Sequence, residues 1–324
     1  MWAVAAGAIG YGSAQLKRGT DQRRVPLMGV LGAFVFAAQM INVAIPGTGS
    51  SGHLGGGLLL AVLLGPHAAL LAISSVLIVQ ALLFADGGLL ALGCNIVNMG
   101  IIPAYLIYPF CFRPLAGPSP TTSRRSAAIM IAALLALQSG ALAVVLQTTV
   151  SGISALPFTA FVLLMQPIHL VIGLLEGAVT AAVVTLVTAA RPELLALQPS
   201  ASSAGLPLRR LLTVIFVAAL VTGGLGSLAA SDKPDGLEWA IRQAAGSAEL
   251  VNPQHGLHQV LAVVQERLAL LPDYGFRQTA AQPPAASPSA ARWGTSLAGL
   301  LGGGITVLLL SLGALLLGMR RGNQ

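Results

Sequence analysis

The chain is a succession of apolar runs, most of them near the ~20 residues a helix needs to cross a bilayer. Its basic residues fall in the gaps between those runs. Lys17, Arg18, Arg23 and Arg24 follow the first run, Arg113, Arg124 and Arg125 lie in a later gap, Arg191, Arg209 and Arg210 in another, and Arg320 and Arg321 close the chain. Backbone inside hydrocarbon must satisfy its own hydrogen bonds, so runs of this kind are helices. Only 8% of residues are charged, against about 25% in a soluble domain. The fold class is therefore an all-α polytopic membrane protein, lying in a lipid bilayer. The net charge of +7 marks cytoplasmic loops, not a nucleic-acid partner. Cys94 and Cys111 sit in or at the end of one apolar segment and read as packing residues, with no disulfide framework.

Taken in order, Met1 to Leu16 is a short first span rich in alanine and glycine, and its small residues suit close helix approach. Val25 to Ile45 runs outward. Leu54 to Leu64 is short, and is expected to cross only if tilted. Gly65-Pro66 breaks the chain, and Pro66 suits the first turn of the next helix, which runs to about Phe84. Spans from Leu89 to about Phe112, Ser126 to Val150 and Ile153 to Ala190 follow. That makes seven spans within residues 1–195. A composition shift then marks a second unit, 196–324. It has a helix at 211–230, a polar extracytoplasmic segment at 231–291 and a returning helix at 295–317, for nine spans in all. Residues 281–291 read as a Pro/Ala/Ser linker.

One loop concentrates the polar chemistry. Residues 39–57 carry no charged side chain, but hold Gln39, Asn42, Thr48, Ser50, Ser51, His53 and six glycines. A lone imidazole between apolar helices is either a metal ligand or a loop histidine that hydrogen-bonds a neighbour. Asp86, beside Gly87-Gly88, reads as a turn or helix-cap residue. Asn95 and Asn98 share one helix face and suit either ligand orientation or interhelical hydrogen bonding. His169 and Glu176, seven apart, share a helix face and read as structural. His67 reads as interfacial, and His255 with His258 as a poor two-ligand site. There is no phosphate-binding Gly-x-x-x-x-Gly-Lys-Ser/Thr loop and no His-Glu-x-x-His. Ser50 or Ser51 with His53 is a weak case for an intramembrane hydrolase, since such pairs are assembled from separate elements. A metal-free scaffold or sensor is the other open class.

Several stretches in order carry a resemblance: Val25-Pro-Leu-Met-Gly-Val, Phe36-Ala-Ala-Gln-Met-Ile-Asn, Ser51-Gly-His-Leu-Gly-Gly, Gln80-Ala-Leu-Leu-Phe-Ala-Asp-Gly-Gly and Asn95-Ile-Val-Asn-Met-Gly, continuing through His169 to Glu176. Together they resemble the CbiM/NikM family, the substrate-binding membrane subunits of energy-coupling factor transporters for cobalt and nickel. Pro234-Asp-Gly-Leu-Glu238 resembles the PDGLE motif of the accessory CbiN/NikN subunit, here fused behind the first unit. The resemblance implies a seven-helix substrate-component bundle. It implies capture of Ni(II) or Co(II) as transported substrate on the outer side, with no permanently bound cofactor. Energy would come from a membrane coupling subunit and two ATPase subunits as partners, so the chain itself is not expected to be an enzyme.

The resemblance also implies a nitrogen-rich, near-planar site built from the N-terminal amine, a second-residue histidine and the Ser-Gly-His-Leu histidine. Only the last carries over, as His53, because this chain begins Met1-Trp2. A start lying upstream of Met1 is the expected explanation. Asn42, Ser51, Asn95 and Asn98 are the residues expected to stand behind the imidazole and orient it. Asp235 and Glu238 either help load metal or cap a helix, and helix capping is the expectation.

Overall fold

The computed structural model describes residues 1–18, 24–152, 156–191, 207–245, 256–277 and 288–316. His255, the linker before residue 288 and Arg320-Arg321 lie outside the described residues. In chain order the helices are α1 (Trp2–Arg18), α2 (Arg24–Gln39), α3 (Gly57–Leu64), α4 (Pro66–Leu83), α5 (Leu92–Ala116), α6 (Thr122–Ser151), α7 (Phe158–Ala190), α8 (Leu208–Gly224), α9 (Gly236–Ala245), α10 (Leu257–Leu268) and α11 (Pro288–Leu316). Two short strands, β1 (Val43–Ala44) and β2 (Ser51–Gly52), form an antiparallel hairpin between α2 and α3. Among the described helices, α4 to α7, α11 and α8 with its following turn are long and apolar enough to cross a membrane; α2 is shorter. The chain is a multi-pass membrane protein. Phe110, Leu163, Leu308 and Leu312 stay exposed on these spans, as lipid-facing side chains must.

The centre of the bundle is α3. Its sequence, Gly-Leu-Leu-Leu-Ala-Val-Leu-Leu, has no polar face, and every residue is buried. Uniformly apolar helices belong inside. Its eight residues rise only about 12 Å, so α3 alone does not reach across the hydrocarbon core. The expected tilted span at 54–64 is thus a buried half-helix, because the glycines before residue 57 leave the helix and Gly65 turns at φ 81. Pro66 then opens α4, where its missing N–H costs nothing. Likewise the outward span expected to reach Ile45 stops at Gln39, and the chain enters the hairpin instead.

Small residues set the helix spacing. Along α7, a Cβ added at Gly173 would stand 3.2 Å from the Leu134 Cα, and one at Gly177 would stand 3.1 Å from the Met130 Cα, so α6 and α7 pack backbone to backbone. The middle of α5, Val97–Phe112, is wound more loosely, with i→i+5 bonding, and contains Pro103 and Pro109. In the second unit, α8 and α11 both pack on α2. A Cβ at Gly299 would meet the Gly223 carbonyl oxygen at 2.8 Å, and one at Gly302 would strike the tip of the Phe36 ring. The polar segment between them folds back over the hairpin end of the bundle. Ser51 N donates to Pro234 O at 2.7 Å, and Ser51 and Asp235 form one isolated parallel bridge, so the second unit meets the hairpin at Ser51.

Replacing Gly299 by leucine forces α8 and α11 apart. Overpacking of this kind costs about 1–3 kcal/mol, and a lowered thermal midpoint of the purified protein in detergent checks it.

Candidate metal site

The hairpin returns into Leu54-Gly-Gly-Gly57, where the backbone passes between α2, α5 and α7. Gly56 has φ 79, and a Cβ there would strike Val35; a Cβ at Gly57 would strike the Met99 carbonyl oxygen. Only glycine allows this approach. It leaves the Gly55 and Gly56 amides without helical partners, and the Glu176 carboxylate of α7 takes them. Gly55 N donates to Glu176 Oε2 at 2.6 Å and Gly56 N donates to Oε1 at 3.0 Å. On the other side, Gln39 Nε2 donates to the Gly55 carbonyl at 2.9 Å, and Gln80 Nε2 donates to Gln39 Oε1 at 2.8 Å. The loop before α3 is therefore held from both sides by buried side chains.

Beside it lies a cavity of about 210 Å³, lined by His53, Asn95, Asn98, His169, Glu176 and Asp235, with Asp86 at its edge. His53 Nδ1 faces the Leu54 carbonyl at 3.1 Å, and His169 Nδ1 faces the Met165 carbonyl at 2.8 Å. A carbonyl only accepts, so Nδ1 donates in both rings, and Nε2 is the ring nitrogen left to face the cavity side. Among the described residues neither Nε2 has a hydrogen-bond partner. Asp235 borders the same cavity as the two rings. Imidazole nitrogens fixed in this way are suited to late first-row divalent ions. Among the described residues, no three histidine, cysteine or carboxylate side chains gather closely enough to hold a metal by themselves.

The residues singled out in the sequence are distributed as follows. His53, Asn95 and Asn98 line the cavity; Asn42 and Ser51 do not. Asn95 Nδ2 donates to Gly87 O at 3.2 Å. Asn98 and Gln147 exchange two amide bonds of 2.9 Å between α5 and α6. Ser51 Oγ donates to Lys233 O at 2.7 Å, and Asn42 Oδ1 is buried with no partner among the described residues. None of these four orients His53; its main-chain neighbour does. His169 and Glu176, read as structural, both face the cavity, and their seven-residue spacing on α7 is the signal that joins them. Asp235 caps α9, accepting from Glu238 N at 2.7 Å, while Glu238 pairs with Arg242. His67 Nδ1 bonds the Tyr105 hydroxyl at 2.9 Å, away from the cavity. Met1 and Trp2 pack against Gly93, with Trp2 Nε1 donating to Leu90 O at 3.2 Å, and neither lines the cavity.

Comparisons with known proteins bear on this geometry. The CbiM family model, described as a cobalt uptake substrate-specific transmembrane region, matches residues 1–194. The PDGLE domain model matches residues 209–319. A protein of Archaeoglobus fulgidus, provisionally named a fused nickel transport protein NikMN, is 33% identical over 94% of this chain and 89% of its own. A provisionally named metal transport protein of Haloquadratum walsbyi is 37% identical over 60% of this chain and 85% of its own. A crystal structure titled as a transition metal transporter has 29% identity and a TM-score of 0.50, covering 58% of this chain and 86% of that one.

Truncating Glu176 to alanine strands two buried amides. An unsatisfied buried donor costs about 1–3 kcal/mol, so Glu176→Ala is expected to lose at least about 2 kcal/mol, and Glu176→Gln to recover part of it. Thermal unfolding in detergent reads both.

Proposed function

The chain belongs to the CbiM family, with a PDGLE domain behind it, and from that premise we propose that it captures Ni(II) or Co(II) as a transported substrate. The observation that carries this reading is the His53 imidazole beside the cavity. Its Nδ1 is committed to a main-chain carbonyl and its Nε2 is unpartnered among the described residues. His53 is the proposed ligand, and His169 Nε2, held the same way by Met165 O, is the second imidazole nitrogen available to the ion. Asn95 and Asn98 line the wall with their amides bonded to Gly87 and Gln147. Nitrogen donors favour the later first-row ions over manganese or iron, which agrees with the nickel and cobalt in the relatives' names.

The proposed division of labour follows the family. Residues 1–195 bind the ion, and residues 196–324 form the accessory unit seated on the same end of the bundle. Entry is from the extracytoplasmic side. Release inward is driven by a membrane coupling subunit and two ATPase subunits, since this chain has no phosphate-binding loop of its own. The hydrolase reading has no support. Ser51 Oγ gives its proton to the Lys233 carbonyl, and Ser50 Oγ bonds Thr48; neither serine lines the cavity with His53.

Purified protein incubated with nickel or cobalt chloride and desalted is expected to retain about one ion, read by mass spectrometry. Loss of a direct ligand exceeds the roughly 10–100-fold typical of an outer-shell change, so His53→Ala is expected to abolish retention. Undiminished retention by His53→Ala sinks the assignment.

A further inference from the structure

The polar segment of the second unit holds two amphipathic helices, α9 and α10, which place their apolar sides differently. Leu237, Trp239 and Ile241 of α9 pack against a cluster on α6 and α7 that includes Val145, Phe161 and Met165. On α10 no residue is buried. Leu257, Val260, Val264 and Leu268, spaced i, i+3, i+7 and i+11, form one stripe and are 39–63% exposed.

The rest of α10 shows which way that stripe points. Leu261 packs on the main core. Gln265 Nε2 donates to Ala81 O at 3.0 Å, and Gln265 Oε1 accepts from Leu89 N at 3.3 Å. These two residues mark the side toward the bundle. Exposed Gln259, Ala262 and Glu266 lie about a third of a turn to one side of them, and the apolar stripe lies about a third of a turn to the other.

The height of the helix is set by what it holds. The 18 residues of α4 rise about 27 Å, close to the ~30 Å of a hydrocarbon core, so the C-terminal end of α4 stands at the membrane boundary. The chain is fastened there. Leu270 N donates to Leu83 O at 2.7 Å, and Asp273 N donates to Phe84 O at 2.8 Å. The Tyr274 ring stacks on Phe84 with centroids 5.3 Å apart, and its hydroxyl donates to Asp86. The next residues meet the start of α11, where a Cβ at Gly294 would stand 2.9 Å from the Tyr274 carbonyl oxygen. Phe276 and Trp293 are exposed at this joint, and Leu297, Leu300 and Leu301 continue the exposed apolar side along α11. The stripe on α10 therefore lies at the height where the lipid-facing surface of α11 begins.

We propose that α10 is an interfacial helix, with its Leu257–Val260–Val264–Leu268 stripe sunk into the outer leaflet and Gln259 and Glu266 turned to water. Helices of this kind bury the apolar side about 5–10 Å into the boundary between headgroups and acyl chains. Arg267 emerges beside the stripe, where its stem lies along the chains and its guanidinium reaches headgroup phosphates. A lone helix this short is marginal in water, and α10 is held to the first unit through Leu261 and Gln265. Lipid supplies the remaining burial, and so holds the clamp on the end of α4.

The test uses the full chain carrying Cys94→Ala and Cys111→Ala. Single cysteines are introduced as Val260→Cys, Val264→Cys, Leu268→Cys, Gln259→Cys or Glu266→Cys and labelled with an NBD fluorophore. Each protein is reconstituted into vesicles of equal parts phosphatidylcholine and phosphatidylglycerol. Probes at 260, 264 and 268 are expected to emit further to the blue than those at 259 and 266. They are also expected to lose most of their emission when the lipids carry doxyl groups on the upper acyl chain, while the other two keep theirs. Water-like emission at every position overturns the proposal. So does blue-shifted emission that doxyl lipids leave unquenched, which puts a second copy or another segment of this chain on the stripe. Val264→Trp in the otherwise unaltered chain gives a second readout. It is expected to add tryptophan emission that brominated lipids quench, and quenching no greater than in the wild type overturns the proposal as well.

Discussion

The two amide bonds that Glu176 accepts from Gly55 and Gly56 are the constraint on which the centre of the molecule depends. A loop at this depth is permissible only if its backbone groups find partners. Glycine at 56 and 57 lets the chain pass between Val35 and Met99, and leaves those amides orphaned. Once Glu176 takes them, α3 starts at a fixed height, and His53 is carried to the cavity wall. Glu176 is 1% exposed, so the carboxylate's position is set entirely by protein contacts.

The second unit is seated on the first in two places. Pro234–Asp235 pairs with Ser51, two residues before His53. Tyr274 closes over the C-terminal end of α4, stacking on Phe84 and donating to Asp86. Around them, α8 and α11 embrace α2, whose last residue, Gln39, donates to the Gly55 carbonyl. Both contacts join residues more than 180 apart in sequence.

The architecture was largely legible in the sequence, because apolar runs separated by arginines leave few alternatives, and the Gly65-Pro66 break and the long spans at Thr122–Ser151 and Phe158–Ala190 follow from local chemistry. The length of α3 was not legible: Leu54 belongs by composition with the helix, and only the packing of Gly56 on Val35 and Gly57 on Met99 delays its start to Gly57. At the site, His53 stood out as a lone imidazole. The partners of His53 did not, since a main-chain carbonyl has no sequence signature. Asn98 was visible and its partner Gln147 was not, because nothing in either residue's neighbourhood says that α5 and α6 meet there. His169 and Glu176 were seen as one face of a helix, but what that face looks onto is a tertiary fact.

The shortness of α3 has an electrostatic consequence. A helix that ends inside the bilayer carries its terminal partial charge with it, about half an elementary charge, positive at the N-terminus. Here that end is Gly57, whose residue borders the cavity. Left bare, the amides of the loop before it would add to that positive edge of the cavity. The Glu176 oxygens lodged there take up the Gly55 and Gly56 N–H dipoles instead. A buried acid that looks like a structural peg therefore also removes donors that the chain would otherwise turn toward the cavity.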